Sequence, residues 1–167
     1  MTLIELMVVL AIMTVALSMF SRTLVSSSRL DPLNRETVIA GEAARSKLEE
    51  MRNNRFEDIY ALFNDDPADD PDGVGTAPGS EFMVDFLEPV AGQNFIGKVS
   101  FPEVNGVLRE DAPDEMLGMP RDINADGLVD ADPRVDDYVI LPVRIRIEWS
   151  GAGGDRSLEM YTLFADV

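Results

Sequence analysis

The chain has no cysteine and no histidine among its 167 residues. Without thiols no disulfide can staple it. Without either residue, Ser-His and Cys-His nucleophilic pairs and the usual zinc ligand sets are out of reach. Cations are scarce as well, with 14 Lys/Arg against 31 Asp/Glu and a net charge of −17. The deficit is local. Residues 1–55 hold seven cations and six acids (net +1), which leaves seven against twenty-five (net −18) for residues 56–167. Such an acidic surface repels phosphate backbones and anionic lipid, so nucleic-acid binding by a basic groove is unsupported, and it invites divalent cations. No pair of carboxylates at a fixed spacing marks an acid–base site, and an enzymatic role is not expected.

What is present begins at once. From Leu3 to Phe20 the sequence is apolar except for one carboxylate, Glu5. As a helix this run spans roughly 27 Å, close to the hydrocarbon core of a bilayer. A lone ionised group at that depth costs at least about 2.5 kcal/mol and calls for a cationic partner. The sequence offers none before Arg22. No Lys/Arg-rich stretch precedes the run, as an ordinary secretory signal requires, and no small-x-small cleavage site follows it. A plain signal anchor, with Glu5 snorkelling at the bilayer rim, is the simpler alternative.

Thr2-Leu3-Ile4-Glu5-Leu6-Met7-Val8-Val9-Leu10-Ala11-Ile12 resembles the start of a mature type IV pilin or pseudopilin, over about the first thirty residues. The resemblance implies a basic leader cut off just before Met1, methylation of the new amino group, and a Glu5 that meets the amino terminus of a neighbouring subunit. The family's commonest first residue is phenylalanine, whereas Met1 stands here. It also implies a subunit held in the inner membrane before assembly by dedicated pilus or secretion machinery. Afterwards it would lie in an extracellular homopolymer whose helices form the filament core. A minor pilin or secretion pseudopilin that primes or caps a filament is the alternative within the family. A membrane-anchored, calcium-dependent adhesion domain acting alone is the alternative from another class.

The expected fold class is α+β: a long N-terminal helix packed on a C-terminal antiparallel sheet. Residues 1–30 form the apolar helix and 31–167 a head. Ser26-Ser27-Ser28 and Asp31-Pro32 predict a kink or unwound stretch near 22–32. A helix over 33–63 follows, with Leu33, Thr37, Ala40, Ala44, Leu48 and Met51 on a core face and Arg35, Glu42, Lys47, Glu49 and Arg52 opposite. A coiled-coil seam is the other reading of that stripe. Residues 64–79, rich in Asp, Pro and Gly, read as an acidic loop, solvated or serving a loose cation or a lateral contact. Strands are predicted at 81–87, 95–101, 138–149 and 157–164, the last two joined through the glycine-rich 150–156. Val143, Ile145, Ile147 and Trp149 alternate with Arg144, Arg146 and Glu148, so one face packs. Pro142 points to an edge or a bulge.

Within residues 122–133, Asp122-Ile123-Asn124-Ala125-Asp126-Gly127 follows D-x-N-x-D-G, the opening of a calcium loop. Calcium takes six to eight hard oxygens, and alternate acidic side chains about a glycine turn supply them. Asp122, Asn124, Asp126, the Leu128 carbonyl and Asp130 are the candidate ligands. Pro133 stands where a bidentate acid belongs, which leaves Asp132, Asp136 or Asp137 to complete the shell. An acidic turn that needs no metal is the plainer reading.

Overall fold

The computed structural model describes residues 2–151 and 153–166, and the side chains of residues 22–32 lie outside that description. The molecule is α+β. One helix, α1, runs from Leu3 to Arg52, fifty residues and about 75 Å. The unwound stretch expected near residues 22–32 is absent, because α1 continues through Asp31-Pro32. A proline inside a helix costs about 3 kcal/mol, and the cooperative turns on either side carry that cost.

The helix expected over 33–63 ends instead at Arg52. Asn53 caps it with its backbone N–H on Glu49, and the Asn54 side chain donates to the Glu50 carbonyl at 2.8 Å. A 3-10 turn at Phe56–Asp58 and a short helix, α2 (Ile59–Phe63), follow. The break lets three aromatics turn inward. The Phe56 ring lies 5.1 Å from that of Tyr138, and Tyr60 lies 5.2 Å from Phe101. The Tyr138 hydroxyl donates to the Phe56 carbonyl at 2.9 Å, and burial pushes its pKa up to about 12.

The head carries six strands: β1 (Glu81–Phe82), β2 (Gly97–Ser100), β3 (Glu103–Val104), β4 (Val107–Leu108), β5 (Ile140–Gly151) and β6 (Gly154–Ala165). The main sheet is antiparallel in the order β1-β2-β5-β6, and β3 and β4 form a separate hairpin. That hairpin lies outside the four strands expected from the sequence; its Asn105-Gly106 turn, both residues at positive φ, is a strong two-residue hairpin signal. The first expected strand shrinks to two residues, since a turn from Val84 to Leu87 diverts the chain. The glycine-rich link is shorter than expected, with pairing continuing to Gly151↔Gly154.

The alternation read along β5 holds, with Val143, Ile145, Ile147 and Trp149 all buried. Pro142 pairs with Leu163 beyond the reach of β2, whose register covers only Arg144 to Ile147. The amide that proline lacks would have faced no partner there.

The stripe on α1 is the core face. Ala40, Ala44, Leu48 and Met51 are buried against the sheet, with Leu33 and Thr37 half-buried. Lys47 departs from its expected solvent position. Its ammonium sits 4.9 Å from the Phe82 ring and 5.4 Å from that of Phe63, and it pairs with Glu50 at 2.8 Å. The long methylene stem lets it cover apolar surface while the charge is met by aromatic faces and a carboxylate. At the other end of the contact, Trp149 Nε1 donates to Glu36 at 3.2 Å and Arg156 donates to the Leu33 carbonyl at 2.9 Å. These two bonds tie the β5–β6 hairpin end to α1. Gly151 makes room for the Glu36 carboxylate, which a Cβ at that position would strike.

Candidate assembly helix and acidic loop

Among the described residues, no layer from the same chain covers Leu3–Ser21 of α1. Leu3–Ser21 is long and apolar enough to cross a membrane, and none of it is buried. Leu3, Ile4, Met7, Ile12 and Met19 are each more than half exposed. From Ala40 to Met51 the same helix buries one face, Ala40, Ala44, Leu48 and Met51, against the head. One element thus joins an exposed apolar rod to a packed domain.

Glu5 is the single charge on the described part of that rod. Its carboxylate accepts the backbone N–H of Thr2 at 3.2 Å, so Thr2-x-x-Glu5 works as a capping box at the start of α1. Three residues of spacing put the N3 carboxylate back over the N-cap amide, and an acid in the first turn also suits the positive end of the helix dipole. This local role was legible in the sequence. Met1, the other expected assembly residue, lies outside the described residues.

The second candidate is the loop from Asp122 to Asp137. Asp122 accepts the backbone N–H groups of Ala125 and Gly127 at 2.6 and 2.8 Å, and Gly127 and Ala125 both adopt positive φ. Asn124 donates through Nδ2 to Asp126 and Asp137, each at 3.2 Å. Asp126 accepts from Leu128 N–H at 2.8 Å, and that bond, with the Asn124 amide, draws the Asp126 carboxyl below its usual range. Asp130 accepts from the Asp132 N–H at 2.9 Å. Asp132 and the 65% exposed Leu128 remain at the surface.

A cation already stands among these acids. The Arg134 guanidinium lies 2.9 Å from Asp130, 3.2 Å from Asp137, 3.5 Å from Glu110 and 3.6 Å from Asp126. Burial alone would lower its proton affinity, but the four facing carboxylates outweigh that and raise it. Glu110 is fully buried, and its carboxylate accepts the backbone N–H groups of Ile123, Asn124 and Asp130 at 3.0 to 3.3 Å. Nothing local in the sequence links Glu110 to a loop that begins at Asp122.

These contacts bear on whether calcium fits. Among the described residues no three acidic side chains form a group able to hold a metal ion. Of the expected ligands, Asp126 and Asp130, together with Asp137, lie within 4 Å of the Arg134 guanidinium, so a calcium ion and Arg134 would compete for the same carboxylates. No family model, no curated protein and no solved structure matches the chain.

Proposed function

We propose that this chain is a structural subunit of an extracellular, type IV pilus-like helical filament, assembling through the first half of α1. The observation that carries the reading is the division of one helix into a buried and an unburied half. Leu3–Ser21 presents an apolar surface that water disfavours, while Ala40 to Met51 anchors the rod to the acidic head. Before assembly a bilayer is the natural cover for such a rod. Packing among the same helices of identical subunits is the natural cover afterwards, and a head-to-tail contact of this kind propagates without closing.

Within this reading Glu5 sets the register by meeting the amino terminus of a neighbouring subunit, beyond its capping of Thr2. Pilus or secretion machinery of the inner membrane would extract and polymerise the subunits. A minor pilin or pseudopilin has the same architecture and differs in abundance along the fibre. A membrane-anchored adhesion domain would use the same rod only to hold the bilayer.

The experiment separates capping from register by two substitutions. Glutamine preserves a capping box, whereas alanine removes it, and both remove the charge. Electron microscopy of fibres sheared from cells should find Glu5→Gln as deficient as Glu5→Ala, with the subunit retained in the membrane. Normal fibre yield from Glu5→Gln would reduce Glu5 to a cap. A chain that stays membrane-bound and never enters fibres would leave the filament reading without support.

A further inference from the structure

Strand β6 ends the main sheet, and among the described residues no strand pairs with its outer edge. It runs for twelve residues, pairs with β5 through an unbroken register and contains no proline, whereas the opposite edge, β1, is two residues long. Long, flat edges without bulges are rare in natural sheets because they template pairing with another chain.

The register identifies the open groups. Glu148 and Ser150 donate their N–H groups away from β6, to Ile96 at 2.7 Å and Glu88 at 2.8 Å. Their partners across the ladder, Ser157 and Asp155, therefore sit in non-hydrogen-bonded pairs. By the alternation of an antiparallel ladder, Asp155, Ser157, Glu159, Tyr161 and Leu163 turn their N–H and C=O groups outward. Among the described residues no hydrogen bond reaches these backbone groups from outside the sheet.

The side chains define what would fit. On the helix-facing side, Leu158, Met160 and Thr162 lie opposite the fully buried Ile147, Ile145 and Val143, yet are themselves only half-buried. The apolar layer therefore thins at this edge. On its other side β6 itself bears two acids, Asp155 and Glu159, and no cation; Arg146 of β5, on the same face, lies 3.5 Å from Glu159, and among the described residues no ion pair reaches Asp155. A second copy of β6 paired antiparallel about Ser157 or Glu159 would bring those acids beside their own kind, and like charges across a strand pair destabilise it.

We propose that β6 is a docking edge for an extended strand of another protein, one with apolar residues at alternate positions and Lys or Arg between them. The added strand would complete the hydrogen-bond ladder, cover Leu158 and Met160, and set its cations beside Asp155 and Glu159. This inference stands apart from the filament reading, since it concerns the head alone.

The test uses the full chain in non-ionic detergent with labelled eight-residue peptides of alternating valine and lysine, or valine and glutamate. The lysine peptide should bind, and amide exchange should slow at Asp155, Ser157, Glu159, Tyr161 and Leu163. Ser157→Pro, which removes one outward donor and no β5–β6 bond, should weaken binding by about tenfold. Asp155→Lys with Glu159→Lys should transfer the preference to the glutamate peptide, and it decides the matter if the proline variant misfolds. Protection elsewhere in the chain, equal binding of both peptides by the unsubstituted protein, or self-association through β6 would each overturn the proposal.

Discussion

The Arg134 guanidinium lies 3.5 Å from the carboxylate of Glu110, a residue with no solvent exposure at all. Glu110 thereby ties together three backbone amides of the 122–137 loop and the loop's own cation. A charge so deeply placed persists only when paired and fully hydrogen-bonded. Glu110→Gln keeps one acceptor oxygen but loses the charge and leaves some of these amides unpaired. Chemical denaturation of the full chain in detergent should register a loss of about 2–4 kcal/mol. An unchanged midpoint would mean that the three amides find water instead.

The same geometry governs the response to calcium. With Arg134 in place, thermal melting in calcium and in chelator should coincide. Arg134→Ala removes the built-in cation, so Asp126, Asp130 and Asp137 are left to repel. That variant should melt several degrees lower and recover part of the loss on adding calcium, by mass action. A calcium-dependent melt of the unsubstituted chain would instead place calcium beside or instead of Arg134.

Acid should stabilise part of the head. Burial raises the Glu103 carboxyl; the hydroxyl of Tyr60 draws it back, and Asp65 and Asp69 push it up again. Its unfolded value is 4.5, so between that and its higher folded value the folded chain holds a proton that the unfolded chain has released. This contribution is fully present below the unfolded value and is lost as pH rises through the folded one. Asp65 opposes it, because Lys98 and Ser80 overcome burial and lower its carboxyl, so its stabilisation is lost in stronger acid. Stability measured from pH 4.5 to neutrality should fall, and Glu103→Gln should flatten the slope. A slope unaffected by that substitution would assign the effect elsewhere.

The joint between helix and sheet has a steric test. A methyl group at Gly151 would meet the Glu36 carboxylate, which also holds Trp149 Nε1. Gly151→Ala should cost about 1–3 kcal/mol through overpacking. Adding Glu36→Ala should return part of that cost, since the two residues share one space. Strict additivity in the double variant would show that the methyl is accommodated without moving Glu36.

Much of this architecture is written in local periodicity. The α1 stripe from Ala40 to Met51 and the alternation from Val143 to Trp149 follow from repeats of 3.6 and 2, which any segment carries whatever surrounds it. The uncovered apolar run and the acidity of the head are likewise properties of composition. The Thr2–Glu5 cap and the Asn105-Gly106 turn follow from the same local rules. Other features depend on partners far along the chain. Lys47 is drawn from the solvent face because Phe63 and Phe82 converge on it, and the helix breaks after Arg52 so that Phe56, Tyr60 and Phe63 can reach the core. The acidic loop gains a buried carboxylate beneath Arg134 only once the chain leaving β4 has delivered Glu110, and β6 becomes a free edge only because β2 takes the other side of β5. A sequence declares which surfaces must be buried, since hydrophobicity is a property of each residue. Which charge meets which, and which strand is left unpaired, is decided when distant segments are brought within a few ångströms.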